Sequence, residues 1–263
     1  MGGVSTGAPR IKICGITSRD DALLAVDAGA WAVGCILWPD SPRACDPAEA
    51  ARIATAVRRR AHVCGVFVNA TLDHVAGLVD GIGLTMVQLH GDEGPAFCSE
   101  VARRTGAKVM KAAPVRGLAD IRALEAFHTD YHLLDAHRAG MRGGTGDTFD
   151  WELVRSRRSR IPLVLSGGLR PENVAEAIAA VRPFADDTAT ANDRDRVGNL
   201  KDLVQLVADE DDAVTLARQA AQDREDLLGL LGRQDRRGLV EHQDPGVAVE
   251  GLQDLDPLLL SDR

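Results

Sequence analysis

Between residues 11 and 165, short apolar runs alternate with stretches whose apolar positions recur every three or four residues. The first run, Ile11-Lys12-Ile13-Cys14, is followed by Ser18 and then by Asp20-Asp21-Ala22-Leu23-Leu24-Ala25-Val26 at helical spacing, closing on Gly29. That predicts one strand and one helix. Strand side chains alternate between faces, so Lys12 and Cys14 share one face and Ile11 and Ile13 the other. A cation and a thiol therefore sit together at the strand's C-terminal end. Apolar runs at 31–38, 62–69, 86–89, 108–113, 131–135 and 162–165 predict six further strands. Asp46-Pro47-Ala48-Glu49 opens a second helix with a cap, a first-turn proline and an acid, and Thr71 caps a third. Further helices are predicted at 95–104, 118–128, 148–157 and 170–181.

Strands apolar on both sides, alternating with amphipathic helices, call for a parallel sheet covered by helices. An open doubly wound sheet and a (β/α)8 TIM barrel both satisfy this. No G-x-G-x-x-G follows the first strand, and the glycine clusters come late, at 143–146 and 167–168. That favours an α/β barrel, whose phosphate site is built from its last loops and whose functional groups project from the C-terminal strand ends. Those ends carry Cys14, the loop Ser41-Pro42-Arg43, Gln88 and His90 on one face, Asp135 on the face of Leu133, Gly143-Gly144-Thr145-Gly146, and Ser166-Gly167-Gly168. Plainer roles are open to each: a strand-end thiol often packs, an aspartate often caps a turn, and Gln88 and His90 suit a polar barrel layer as well as a ligand.

Composition divides the chain. All nine aromatic residues, five cysteines and four methionines lie at or before Phe184, whereas residues 186–263 hold 9 Lys+Arg against 19 Asp+Glu. The net charge of −8 thus belongs to the tail, and the front part offers no broad basic surface, which argues against a nucleic-acid partner. The cysteines, Cys14, Cys35, Cys45, Cys64 and Cys98, form no C-x-x-C pair or ligand-like cluster with histidine. A zinc site or disulfide framework is therefore not expected, and a reduced cytosol is. No run approaches the roughly 18 apolar residues of a membrane span, and the N-terminus lacks a signal pattern, so a cytoplasmic protein with no membrane partner is expected.

In that order along residues 10–185, Lys12-Ile13-Cys14-Gly15, Ser41-Pro42-Arg43, Gly65-Val66-Phe67-Val68-Asn69, Val87-Gln88-Leu89-His90-Gly91, Leu134-Asp135, Gly143-Gly144-Thr145-Gly146 and Leu165-Ser166-Gly167-Gly168-Leu169 with Pro171-Glu172-Asn173-Val174 resemble phosphoribosylanthranilate isomerase of tryptophan biosynthesis. The resemblance implies a cofactor-independent Amadori rearrangement of a small phosphoribosyl substrate by a monomer or homodimer. It also implies Asp135 as general acid on the ribose ring oxygen, Cys14 as general base at ribose C2, and Arg43 on the anthranilate carboxylate. Lys12 would favour a Cys14 thiolate. Gln88, His90, Ser166 and the glycines at 143, 144, 146, 167 and 168 would line the substrate, the glycines letting backbone N–H groups reach the phosphate. Glu172 and Asn173 are expected to start the seventh helix. The nearest rival, the histidine-pathway ribonucleotide isomerase, uses two aspartates, and a cysteine at 14 argues against it.

The resemblance halts at Ala185. The family continues with an eighth strand of the kind Val-Asp-Val-Ser-Ser-Gly-Val-Glu; here residues 186–195 hold four aspartates, whereas a buried parallel strand should be apolar. The expectation is a barrel over 1–185 truncated before strand eight, with strands one and seven left unpaired. An acidic, poorly ordered tail over 186–263 with amphipathic helical stretches would follow. A reading-frame change near Ala185 would account for the break, as would an authentic acidic extension for partner contacts. Activity would be impaired, the alternative being a catalytically silent phosphoribosyl-binding barrel or a non-functional product.

Overall fold

The computed structural model describes residues 9–136, 150–170 and 172–189. Eight parallel strands in chain order close into a barrel. They are β1 (Arg10–Cys14), β2 (Ala32–Ile36), β3 (His62–Phe67), β4 (Met86–Leu89), β5 (Lys108–Val115), β6 (Tyr131–Ala136), β7 (Leu163–Ser166) and β8 (Ala185–Ala189). The connecting helices are α1 (Arg19–Asp27), α2 (Pro47–Val57), α3 (Leu72–Ile82), α4 (Pro95–Thr105), α5 (Leu118–Ala123) and α6 (Val174–Val181), with 3₁₀ turns at Leu124–Ala126 and Trp151–Ser156.

The capping residues read from the sequence act as caps. Ser18 accepts from the Asp21 N–H, Asp46 from Ala48 and Glu49, and Thr71 from His74. The helix expected over 118–128 instead tightens to 3₁₀ after Ala123, and the described part of the 148–157 helix is 3₁₀ throughout; residues 148 and 149 lie outside the described part. The last helix begins at Val174 rather than 170, because Asn173 turns its side chain back. Its amide donates to the Gly168 carbonyl and its oxygen accepts from the Arg170 N–H, bracing the glycine turn.

Two cores follow from the alternation of faces. Ile11, Ile13, Val33, Val63, Val87 and Leu89 pack outward against Ala22, Ala25, Ile53 and Val75 of the helices. Cys64, Met86, Met110, Ala112, Leu133, Val164 and Ala185 fill the interior. The N-terminal end is plugged by Trp31, Tyr131 and Phe184, whose ring centroids lie 5.4–5.5 Å apart. The opposite, C-terminal end is left for polar groups.

The expectation that strand eight is missing is wrong. Residues 185–189 pair with β1, bringing Lys12 opposite Asp187 and Cys14 opposite Ala189, and with β7, bringing Ser166 opposite Asp187. Neither β1 nor β7 has an open edge, and the barrel extends past the boundary expected at 185. Backbone pairing does not depend on side-chain type, and closure satisfies two edges at once, which outweighs the poor strand composition. Asp187 is also neutralised where it stands. Its carboxylate accepts from Lys12 Nζ at 2.9 and 3.0 Å inside the barrel. Asp186, on the outer face, keeps the conflict that composition foresaw: it is buried, and neither carboxyl oxygen has a partner among the described residues. Burial, with the neighbouring Asp187, pushes its carboxyl up to about 8.

Candidate active site

Cys14 ends β1 on the inner face, and the chain leaves through Gly15 at φ +88°, whose N–H donates to the Gly34 carbonyl at 2.9 Å. Gly34 lies opposite Cys14 in the β1–β2 ladder. A Cβ at Gly34 would fall 3.0 Å from the Cys14 sulfur and 3.2 Å from Lys12 Nζ, so these two side chains converge on space that only glycine leaves. Lys12 is fully buried, and its ammonium and the sulfur border the same space at Gly34. Even so, burial is the largest influence on the thiol and pushes it above its ordinary range; Lys12 and Arg43 pull it down without prevailing.

Arg43 sits on a loop strapped to β2. Ser41 donates to the Trp38 carbonyl, Ala44 to that of Ser41, and Cys45 to that of Ile36 at 2.8 Å. The Ser41 hydroxyl accepts from the Arg43 N–H. The Arg43 Nη1 is buried without a partner among the described residues, a donor held ready near the thiol.

Across the mouth, Asp135 projects from β6. The Gln88 amide nitrogen donates to His90 Nδ1 at 2.8 Å, so Nε2 carries the ring proton and faces Asp135 Oδ2 at 3.2 Å. The Gln88 Oε1 is a second buried atom without a partner among the described residues. His90 is held by a clamp that sequence reading missed. Lys111 Nζ donates to the carbonyls of Leu89 and Gly91 and to Glu93 Oε2, while Glu93 accepts from the N–H groups of Asn69 and Gly91. A Cβ at Gly91 would come within 2.7 Å of the Asn69 backbone nitrogen, so the two loops can meet only at glycine.

Ser166 ends β7, followed by Gly167 at φ +88° and Gly168 at φ +67°, two successive left-handed residues that glycine adopts without strain. Gly143, Gly144 and Gly146, expected to line the phosphate, lie outside the described residues. Lys12, Cys14, Arg43, Gln88, His90, Asp135, Ser166, Gly167 and Gly168 all gather at the C-terminal half of the barrel. The residue overlooked is Asp187. It lies in the electrostatic reach of Cys14 on one side and of Asp135 and His90 on the other. Among the described residues no group of three or more His, Cys, Asp or Glu side chains could hold a metal ion, and no helix is long and apolar enough to cross a membrane.

Comparison with known proteins gives one answer. The family model for N-(5'-phosphoribosyl)anthranilate isomerase matches residues 11–192. The enzymes of that name from Citrifermentans bemidjiense and Geobacter sp. strain M21 are each 46% identical over 181 residues, covering 69% of this chain and 86% and 87% of theirs. The crystal structure of phosphoribosyl anthranilate isomerase from Thermotoga maritima superposes with a TM-score of 0.68 at 38% identity, covering 76% of this chain and 98% of that one. A complex of such an isomerase with reduced 1-(o-carboxyphenylamino)-1-deoxyribulose 5-phosphate gives a TM-score of 0.65 at 37% identity, covering 75% and 97%. With the barrel, the strand-end thiol and acid, and these matches in agreement, the chain belongs to the N-(5'-phosphoribosyl)anthranilate isomerase family.

Proposed function

We propose that the chain carries out the reaction for which its family is named, the Amadori rearrangement of N-(5'-phosphoribosyl)anthranilate to 1-(2-carboxyphenylamino)-1-deoxyribulose 5-phosphate, with Cys14 and Asp135 as its acid–base pair. Asp135 gives a proton to the ribose ring oxygen as the C1–O bond opens, and the anthranilate nitrogen supplies the electron pair that forms the Schiff base. Cys14, as thiolate, takes the proton from C2. The resulting enolamine tautomerises to the ketone, and the atoms balance with no further reactant.

The observation that carries this reading is the placement of a thiol and a carboxyl group on the inner face of one barrel mouth, each beside a partner that can steer its proton: Lys12 and Arg43 for Cys14, His90 for Asp135. The unpartnered Arg43 Nη1 suits the anthranilate carboxylate, which a guanidinium can hold in two places. The Gly167-Gly168 turn suits the phosphate, since backbone N–H groups there meet no Cβ. Supplying freshly made N-(5'-phosphoribosyl)anthranilate to the purified chain and following loss of its fluorescence tests the assignment. The expected product is the ribulose derivative, identified by chromatography; fluorescence that decays only at the buffer rate would reject the proposal.

A further inference from the structure

The reaction as written gives Asp187 no task, yet the barrel buries it. Lys12 extends a flexible four-carbon stem into a space where it is 0% exposed, and an ammonium so placed sheds its proton unless an opposite charge holds it. Asp187 supplies that charge with both oxygens, at 2.9 and 3.0 Å. The β1–β8 register sets these residues side by side, with Cys14 two positions further up the same face. From the other side, Gly34 leaves the space into which the sulfur and the ammonium both point.

We infer that Asp187 is a positioning residue for the rearrangement: its carboxylate fixes a charged Lys12 ammonium beside the Cys14 sulfur, in space that Gly34 leaves open. The inference rests on the reading of Cys14 as the base. Other groups face this cluster from every side. Arg43 approaches Cys14 from the loop after β2, Cys64 reaches Lys12 from β3, and His90 and Asp135 face Asp187 from just past β4 and from β6. Asp187 thus acts in two opposed ways. Its own charge disfavours a nearby thiolate, while its hold on Lys12 favours one. The second effect dominates, because Lys12 without Asp187 is a fully buried ammonium with burial as the largest influence on it. Burial pushes the Asp187 carboxyl up and the ammonium pulls it back, and with both oxygens in contact with Nζ the ion pair is the state the geometry describes.

The test is the pH dependence of Cys14 alkylation by iodoacetamide, read site by site by peptide mass spectrometry. It compares the unaltered chain, Asp187→Asn, and a double replacement of Lys12→Met with Asp187→Leu. The midpoint for Cys14 is expected to rise by about one pH unit or more in both variants, and the basic limb of kcat/KM to move with it. An unchanged or lowered midpoint overturns the proposal. Should Asp187→Asn fail to fold, the double replacement decides alone, since exchanging a buried ion pair for apolar residues of similar volume is commonly neutral or stabilising. A midpoint that rises as expected in a chain that shows no rearrangement activity leaves Asp187's hold on Lys12 in place and removes Cys14 as the base.

Discussion

A buried thiol can serve as a base only after losing its proton, and at Cys14 burial outweighs the pull of Lys12 and Arg43. The sign follows: alkylation of Cys14 by iodoacetamide rises with pH toward the thiol's own elevated range, above that of an unburied cysteine. A midpoint at or below that of an unburied cysteine would contradict it. Arg43 makes a different kind of contribution. If its free Nη1 meets a carboxylate, Arg43→Lys keeps the charge but loses the planar fork, so KM is expected to rise about tenfold with kcat little changed. An unchanged KM in steady-state assays would place the carboxylate elsewhere. These side chains were legible because strand ends are countable in sequence. Asp187 was not, because four aspartates in ten residues obscured the one that answers Lys12. The clue was Lys12 itself: a cation on the inner face of a first strand needs a counter-charge, and the neighbour that closes a barrel is the last strand.

Among the elements, β8 shows where pattern and structure part. Its alternation is regular, Ala185 and Asp187 inward and Asp186 outward, yet its composition is not that of a buried strand. Asp186 carries the cost. Its carboxyl is held at about 8 in the fold, against roughly 4 in an unfolded chain, so the folded state favours the protonated form. The pKa being raised, stability is fullest below about pH 4 and is lost as pH climbs toward 8, leaving a deficit of roughly 4 kcal/mol at neutrality. Asp186→Val should therefore raise the melting temperature at pH 7 by roughly 5 °C or more and flatten its decline between about pH 5 and 8. Calorimetry across that range checks both; a variant that melts with the parent at every pH would refute the account of this side chain. The helices part from their pattern less: α5 and the turn at Trp151–Ser156 tighten to 3₁₀, a distinction that apolar spacing over one or two turns does not encode.

Over the whole molecule, closure decides the outcome. Pairing along β8 removes the open edges of β1 and β7, and the family match runs to residue 192, past the composition break at Ala185. We propose that the acidic stretch beyond that match arose from a change of reading frame. Sequencing the locus tests this: a frame shared intact with relatives that carry the same tail would overturn it. The closed barrel also brings β1 and β6, far apart in the chain, to one mouth, and the whole reading depends on that convergence. The most direct measurement is turnover of N-(5'-phosphoribosyl)anthranilate by Cys14→Ala and by Asp135→Asn, each with its affinity for reduced 1-(o-carboxyphenylamino)-1-deoxyribulose 5-phosphate. Each variant is expected to lose about 10²–10⁴-fold in kcat while binding that analogue nearly as the parent does. Either variant turning over within about threefold of the parent would contradict the assignment of a thiol and a carboxylic acid working on one bound sugar phosphate.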